Sequence, residues 1–151
     1  MSQYVIHFQE NHMEIKESTL SLRQTIDMVR DFHDAFGIEN AAAPTAALSA
    51  RDLELRHRLM HEENEEYLEA AQRGDLVEVA DALGDMLYIL CGTILKHGLH
   101  HKIEEVFEEI QRSNMSKLDA NGKPIHREDG KVMKSDQYFR PDIASILNGS
   151  R

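Results

Sequence analysis

The sequence lacks the features that mark several large classes of protein. It has one cysteine, Cys91, so no disulfide can form within the chain, and a reducing cytoplasmic location is expected. Its longest uncharged apolar stretch, Met86–Leu95, has ten residues, whereas a membrane-spanning helix needs about twenty, so no membrane association is expected. The N-terminus has neither the early positive cluster nor the apolar core of a signal peptide, so export is not expected.

Positive charge is also scarce. The chain has 17 Lys and Arg residues against 27 Asp and Glu residues, a net charge of −10. A protein that binds DNA or RNA pairs the phosphates with a basic excess, so nucleic acid is not expected as a partner. With 151 residues, 41% of them hydrophobic, and three prolines, the chain is predicted to form a single globular domain, 19–151, preceded by an N-terminal arm, 1–18.

Apolar residues at helical spacing dominate the first two-thirds of the chain. They predict an amphipathic first helix over Thr19–Phe36 that is ended by Gly37. A stretch without proline or glycine predicts a second helix over Ala50–Arg73, and Asp75 is predicted to cap a third helix that ends around His97–Gly98. Because one or two residues separate the second and third helices, they are predicted to form an antiparallel hairpin.

The C-terminal third has a different pattern. A shorter fourth helix is predicted from Ile103, a β-hairpin around the turn dipeptide Asp129-Gly130, and a final helical turn opened by Pro141 and running through Leu147. Four glutamates of the fourth helix are predicted to face solvent: Glu104, Glu105, Glu108 and Glu109. The predicted fold class is therefore all-α, a four- to five-helix bundle with a short C-terminal β-hairpin or loop.

The carboxylates of the second and third helices form the most informative pattern. At about 100° per residue, Glu63 and Glu66 lie inside the apolar stripe of the second helix. Three acids of the third helix share one arc: Glu78, Asp81 and Asp85. The uncharged segment Met86–Leu95 that follows is predicted to be covered on all sides, so the carboxylates are expected to lead into a covered cleft between the two helices.

Several carboxylates that converge in partly dry surroundings repel one another unless a cation compensates them. Oxygen ligands without cysteine select a hard cation, so Mg²⁺ or Mn²⁺ is expected rather than Zn²⁺. Mg²⁺ held by carboxylates keeps positions for phosphate oxygens, which favours phosphate chemistry. From the pattern alone, a metal-binding cleft and an acidic face in contact with solvent are equally favoured.

These residues resemble a known family. Glu62–Glu66 fits the motif EExxE and Glu78–Asp81 fits ExxD on the following helix, a pair typical of the all-α nucleoside triphosphate pyrophosphohydrolases of the MazG type. The segments Arg112–Lys117 and Asp129–Lys131 resemble most the branch labelled phosphoribosyl-ATP pyrophosphohydrolase-like. The residues that follow Asp85 also match this branch, and their match places the family's last aspartate at Asp85. Two pairs of third-helix ligands therefore stay open, Glu78 with Asp81 or Asp81 with Asp85.

The resemblance implies hydrolysis between the α- and β-phosphates of a nucleotide, which yields a monophosphate and pyrophosphate. It also implies Mg²⁺ held by the helical acids and a homodimer or homotetramer in which a neighbouring subunit completes the cleft. Removal of unwanted nucleotides from the cellular pool is the implied role, and phosphoribosyl-ATP remains an alternative substrate.

Roles for single acids follow as hypotheses. The expected metal ligands are Glu63, Glu66, Glu78, Asp81 and Asp85. Glu62 or Glu63 is the candidate base that takes a proton from the attacking water. Glu62 lies at the edge of the apolar stripe, so a solvent-facing acid is an equal interpretation.

A polyanionic substrate needs positive charge besides the metal. Residues 112–140 contain seven Lys and Arg residues against four Asp and Glu residues, a net charge of +3, whereas the rest of the chain carries −13. This basic segment is predicted to fold over the acidic cleft and bind phosphates. The resemblance points to Lys117 and Lys131 first and to Lys134 next.

The nucleobase pocket has three candidates: Phe32, His33 and Asn114. Phe32 is alternatively a core residue and His33 a surface histidine with its own partner. A different class of function also stays open, an acidic helical dimer that binds a protein partner. The cluster His97, His100 and His101 could add a metal site to that dimer. A carboxylate-bridged di-iron bundle needs two Glu-x-x-His motifs, and the sequence offers one, Glu54–His57.

Overall fold

The computed structural model describes residues 20–149, and the chain there is helical throughout its regular structure. It contains five helices and no strand: α1 Leu22–Ala35, α2 Ala50–Arg73, α3 Leu76–Lys96, α4 Ile103–Met115 and α5 Ile143–Leu147. No helix among these residues is both long and apolar enough to cross a membrane. The predicted all-α class is confirmed. The predicted arm, 1–18, lies outside the described residues.

Local capping explains where the first three helices begin and end. Ser21 and Gln24 form a reciprocal capping box at the start of α1. Gly74 ends α2 in the left-handed conformation, with φ at +70°, which a residue with a Cβ adopts rarely. Asp75 then accepts a hydrogen bond from the backbone N–H of Glu78 and starts α3. This two-residue turn makes α2 and α3 the predicted antiparallel hairpin.

The core lies between α1 and α3. Ile26 and Val29 of α1 pack against Cys91, Ile94 and Leu95 of α3, and all five are buried. Three partly buried residues extend this cluster: Leu22, Leu99 and Ile103. Cys91 is fully buried, as its interpretation as a core side chain requires. α2 packs along α3 outside this core, and α4 packs on α5.

Two predicted helix starts were wrong, and of the two predicted alternatives around Asp129-Gly130, a β-hairpin or a loop, the structure has the loop. α1 begins at Leu22 after its Ser21 cap, not at Thr19, which itself lies outside the described residues. α5 begins at Ile143, because the side chain of Asp142 caps it, so Pro141 precedes the helix instead of opening it. The segment around Asp129-Gly130 forms a turn closed by one isolated antiparallel bridge, between His126 and Val132. It is therefore a loop with one bridge and not a pair of strands.

Two predictions about burial were wrong. Glu109 was grouped with the solvent-facing glutamates of α4, but its side chain is fully buried, because Arg112 and the segment before α5 enclose it. The uncharged part of α3 is not covered on all sides. Leu87, Tyr88 and Leu90 are between 40% and 46% exposed, since α1 and α2 cover only part of the helix surface.

Candidate functional site

The acidic cluster consists of Glu63 and Glu66 of α2 and Asp81 and Asp85 of α3, whose carboxylates lie where the two helices pack together. Burial raises the pKa of Glu63, and the negative charges of four neighbours raise it further: Glu66, Asp85, Asp81 and Glu62, in decreasing order. Glu62 and Glu66 share α2 with Glu63, whereas Asp81 and Asp85 come from α3. The antiparallel hairpin therefore brings together acids that are separated by up to 23 positions in the sequence.

Glu63 occupies the most enclosed position of the acidic cluster. Its residue is half-buried, and its Oε2 atom is buried without a hydrogen-bond partner among residues 20–149. Glu66, Asp81 and Asp85 are exposed, so the cluster is open to solvent and is not the covered cleft that was predicted. A buried carboxylate oxygen without a donor is rare in folded proteins, because leaving it unpaired costs free energy.

The two remaining predicted acids lie at the edge of the acidic cluster. Glu78 lines a cavity of about 280 Å³ together with Glu66, Glu69 and Arg73, so it adjoins the cluster through Glu66. Glu62 is exposed, and one of its carboxylate oxygens lies 3.6 Å from the guanidinium of Arg58, one turn earlier on α2. These contacts leave both readings of the third-helix ligands open.

The donors of the acidic cluster fit a hard divalent cation. They are all carboxylates, the ligands that Mg²⁺ and Mn²⁺ prefer, and the unpartnered Oε2 of Glu63 faces like charges instead of a donor. In the described part of the chain, no group of three or more His, Cys, Asp or Glu side chains is already drawn together around a metal position. The cluster thus offers suitable donors that do not converge on one point in the described part of the chain.

An aromatic contact borders the acidic cluster. Phe32 of α1 meets Tyr88 of α3 edge-on, with ring centroids 5.7 Å apart, and stacks at a tilt on Phe36 at 4.3 Å. Phe32 and Tyr88 are both about 40% exposed. The predicted base-binding residue Phe32 therefore lies on a surface, next to the helix that carries Asp81 and Asp85, and not in the core.

His33, the second predicted base-binding residue, is buried rather than on the surface. Its Nδ1 lies 2.6 Å from Oδ1 of Asn40, and because that oxygen can only accept, Nδ1 carries the proton. Burial is the main cause that lowers its pKa, so the ring is neutral near pH 7 and its Nε2 is an acceptor. A cavity of about 710 Å³ borders His33 on the side of the α1–α2 connector, and no carboxylate of the acidic cluster lines it.

The predicted basic segment is held by a structure that we name the C-terminal clasp: Ser113 and Ser116 bound to the backbone of Phe139, and Glu109 bound to Arg112 and Asp142. Ser113 Oγ donates to the carbonyl of Phe139 at 2.9 Å, and the N–H of Phe139 donates to Ser116 Oγ at 3.1 Å. Part of the predicted motif 112–117 therefore has a structural role that the sequence did not reveal.

The three predicted lysines occupy the surface of this region. Lys117 Nζ donates to Oδ1 of Asn114 at 2.8 Å, Lys134 Nζ lies 4.3 Å from the ring centroid of Tyr138, and Lys131 is exposed. Within residues 20–149, no hydrogen bond or ion pair joins these lysines or Asn114 to the acidic cluster. The predicted folding of the basic segment over the cleft is therefore not formed by contacts within one chain.

One residue near the acidic cluster was missed. Arg56 of α2 lies seven residues before Glu63, hence on the same helix face, and its Nη1 would be 2.7 Å from a Cβ added at Gly92. The seven-residue spacing was visible in the sequence, but the packing against Gly92 was not.

The comparisons with known proteins agree with this arrangement. The family model described as phosphoribosyl-ATP pyrophosphohydrolase matches residues 29–114, more than half of the chain. The matched segment contains the whole α2–α3 hairpin and every acid of the cluster. A search of curated proteins finds no match. The chain therefore belongs to the phosphoribosyl-ATP pyrophosphohydrolase family and is an enzyme, a hydrolase that acts on acid anhydrides.

Proposed function

We propose that the chain is a Mg²⁺-dependent nucleoside triphosphate pyrophosphohydrolase. It cleaves the anhydride between the α- and β-phosphates of a ribo- or deoxyribonucleoside triphosphate, and the products are the monophosphate and pyrophosphate. One observation carries the proposal: the buried Oε2 of Glu63 has no donor among residues 20–149, and four other carboxylates raise the pKa of Glu63. A divalent cation relieves both defects.

The side chains that hold the cation are Glu63, Glu66, Asp81 and Asp85, with Glu78 adjoining them. Mg²⁺ bound there supplies the positive charge that neutralises the phosphate oxygens during the reaction. Mn²⁺ has similar ligand preferences and is expected to substitute. The metal dependence agrees with the family, whose members generally depend on Mg²⁺.

Proton transfer needs a carboxylate near the attacking water. Glu63 is the first candidate, because it is the most enclosed acid of the cluster and lies among the other proposed cation-binding carboxylates. Glu62 is the alternative base, since it borders the acidic cluster and is accessible. Either carboxylate would take the proton as water attacks phosphorus and the phosphoanhydride bond breaks.

The phosphates also need side chains with positive charge. Lys117, Lys131 and Lys134 are proposed to bind them. Asn114, which accepts a hydrogen bond from Lys117, is proposed to contact the base. Because these lysines make no contact with the acidic cluster of the same chain, we infer that they reach the cluster of another copy. A site completed between subunits accounts for carboxylates and lysines that do not meet within one chain.

An apolar stripe on α3 supports such an assembly. At about 100° per residue, four leucines fall within one arc of the helix: Leu76, Leu83, Leu87 and Leu90. Each is at least 44% exposed. Contiguous exposed apolar side chains on one helix are typical of a protein interface, and a homodimer or homotetramer buries them.

The base of the nucleotide is proposed to lie against α1. Phe32 offers an exposed ring face next to Tyr88, and His33 contributes a neutral acceptor from inside the protein. Removal of unwanted nucleotides is the proposed cellular role. Phosphoribosyl-ATP is the second candidate substrate, because the matched family is described by its hydrolysis.

The decisive experiment is a product analysis. The purified chain is incubated with Mg²⁺ and, separately, with the four common ribonucleoside triphosphates, the four deoxyribonucleoside triphosphates and phosphoribosyl-ATP. The expected products are monophosphate and pyrophosphate, formed with Mg²⁺ or Mn²⁺ and abolished by EDTA. A diphosphate with orthophosphate, or no turnover of any of these compounds, would overturn the proposal. Turnover confined to phosphoribosyl-ATP would select the second candidate.

A further inference from the structure

We call the surface where α2 packs along α3 the groove. One of its ends carries the acidic cluster, and the other lies two helical turns away. Moving seven residues back along α2 leads from Glu63 to Arg56, and moving seven residues forward along α3 leads from Asp85 to Gly92. Because the helices are antiparallel, both steps go the same way. Arg56 indeed lies against Gly92, so it lies about 10 Å from Glu63 along the groove.

The guanidinium of Arg56 is partly enclosed and lacks a partner. Burial lowers its pKa, and the charge of Asp52 only partly offsets this. No hydrogen bond or ion pair to the guanidinium is present in the described part of the chain. Asp52 is already paired with the buried Lys96, with 3.2 Å between Oδ2 and Nζ. A half-buried cation without a partner is unfavourable, unless a ligand supplies the acceptors.

Gly92 leaves room for this guanidinium against α3. A Cβ added at Gly92 would lie 2.7 Å from Arg56 Nη1 and 3.0 Å from His33 Nε2, so glycine allows both side chains to approach the backbone of α3. His33 is in turn fixed by Asn40. The planar donor group of Arg56 therefore lies against the backbone of α3, close to the ring of His33.

The space next to Arg56 suits a neutral polar ring better than a phosphate. Arg56 lines a cavity of about 420 Å³, within the usual range of small-molecule sites. Five charged residues line it: Glu39, Arg51, Asp52, Arg56 and Lys96. The opposite charges of Lys96 and Asp52 cancel, and the charge of Glu39 cancels that of one arginine. The lining of the cavity therefore carries one net positive charge. One positive charge does not neutralise a phosphate dianion.

We propose that Arg56 selects the base of the substrate by donating two parallel hydrogen bonds to a 6-oxopurine, at O6 and N7. The bidentate pairing of arginine with these two adjacent acceptors is its best-fitting contact with any base. The inference rests on the proposed function, which puts the phosphates at the acidic cluster. The sugar then lies between the acidic cluster and the base, and the base extends past Phe32 to Arg56.

The test compares bases at constant phosphate chemistry. Values of kcat/KM are measured with Mg²⁺ for dGTP, dITP, dATP and dCTP, in the wild type and in Arg56→Gln. We expect the wild type to prefer dGTP and dITP. Arg56→Gln should lower kcat/KM for these two about 10- to 100-fold, mainly through KM, because one bidentate contact is lost. Its value for dATP should stay the same or rise, since glutamine pairs with adenine.

Two further variants separate recognition from folding. Arg56→Lys keeps the charge but loses the planar pair of donors, so it should lose the preference for dGTP while its Tm stays near that of the wild type. Arg23→Gln is the matched control, because it removes an exposed arginine that pairs with Glu104 outside the groove. It should leave all four kcat/KM values unchanged. An equal loss on every nucleotide, or no change with Arg56→Gln, would overturn the proposal.

A binding measurement makes the inference independent of turnover. Calorimetry with dGMP and dAMP should give tighter binding of dGMP to the wild type, and this difference should vanish in Arg56→Gln. If the wild type is inactive yet keeps this preference, the proposed function fails and the role of Arg56 stands. If the wild type is active without any base preference, only the role of Arg56 fails.

Discussion

Glu63 on α2 and Glu109 on α4 both bury carboxylate oxygens, but their surroundings are opposite. Glu109, whose side chain is fully buried, accepts two hydrogen bonds from Arg112, each at 2.9 Å, and a third from the N–H of Asp142 at 2.7 Å. The buried Oε2 of Glu63 has no donor among residues 20–149, and the charges that act most on this residue are negative.

The difference separates a structural carboxylate from a ligand-binding one. Glu109 joins α4 to the segment before α5, so its hydrogen bonds stabilise the C-terminal clasp. Glu63 contributes no such bond through its buried oxygen, and its ionised form is destabilised by its neighbours. An unsatisfied carboxylate in a cluster of like charges is more typical of a functional site than of a structural one. The two residues should therefore respond to substitution in opposite ways.

The largest effect is expected for Glu63→Gln. The variant loses a proposed metal ligand and candidate base, so kcat should fall about 10²- to 10⁴-fold. Its Tm in EDTA should stay equal to that of the wild type or rise, because the neutral amide no longer repels Glu66, Asp81 and Asp85. Calorimetric melting and pyrophosphate release measure the two effects.

The matched control is Glu65→Gln, two positions along α2. Glu65 is exposed and lies on the opposite side of the helix, so both activity and Tm should be unchanged. If Glu63→Gln lowered Tm and preserved kcat, Glu63 would be a structural residue like Glu109.

The opposite result is expected for Glu109→Ala. The backbone N–H of Asp142 loses its acceptor, and an unsatisfied donor of this kind costs about 1–3 kcal/mol of unfolding free energy. kcat should be retained at temperatures where the variant is folded. Urea unfolding measures the loss, with the exposed neighbour variant Glu108→Ala as control. Equal stability of the two variants would contradict the structural role of Glu109.

The sequence predicted one member of this comparison and missed the other. The arithmetic of 100° per residue was enough to bring Glu63 and Asp85 together, because both lie on a regular hairpin with a two-residue turn. The boundaries of α2, Ala50–Arg73, were predicted for the same reason: Ser49 and Gly74 are strong local signals.

Glu109 could not be predicted in this way. By spacing alone it resembles Glu105 and Glu108 on the same helix, and its burial depends on Asp142, 33 residues later in the chain. The exposure of the leucines of α3 could not be predicted for a related reason. A helix that is apolar all round must be covered, but its sequence does not say whether the cover comes from the same chain or from another copy.

The motif 112–117 gives a smaller test of the same distinction. Ser113 is buried and donates to Phe139, so Ser113→Ala should cost about 1 kcal/mol of stability and leave KM unchanged. Lys117→Met should show the reverse, with unchanged stability and a KM that rises about tenfold, because a charged contact to phosphate is lost. Urea midpoints and initial rates separate the two. If both variants changed KM alone, Ser113 would be a substrate contact.

The smallest expected effect concerns His33 and is a change in the pH dependence of the free energy of unfolding. His33 is buried and paired with Asn40, but it lies beside the groove. Burial is the main cause that lowers its pKa. The charges of Arg56 and Lys96 lower the pKa further, whereas the hydrogen bond to Asn40 raises it. Between this lowered pKa and the ordinary value of about 6.5, the unfolded chain binds a proton that the folded chain does not. Unfolding free energy should therefore rise with pH across this window and level off above it.

His33→Gln removes this contribution, so its urea midpoint should rise less between pH 5 and pH 8 than that of the wild type. His100, whose pKa is also lowered, adds the same slope to both proteins, and therefore the difference between them isolates His33. Gln72→Ala, at an exposed residue of α2 that does not titrate, should keep the full slope of the wild type. A slope in His33→Gln as steep as in that control would mean that the folded protein tolerates protonated His33. The neutral acceptor beside Arg56 would then be absent at low pH, and base selectivity would have to depend on Arg56 alone.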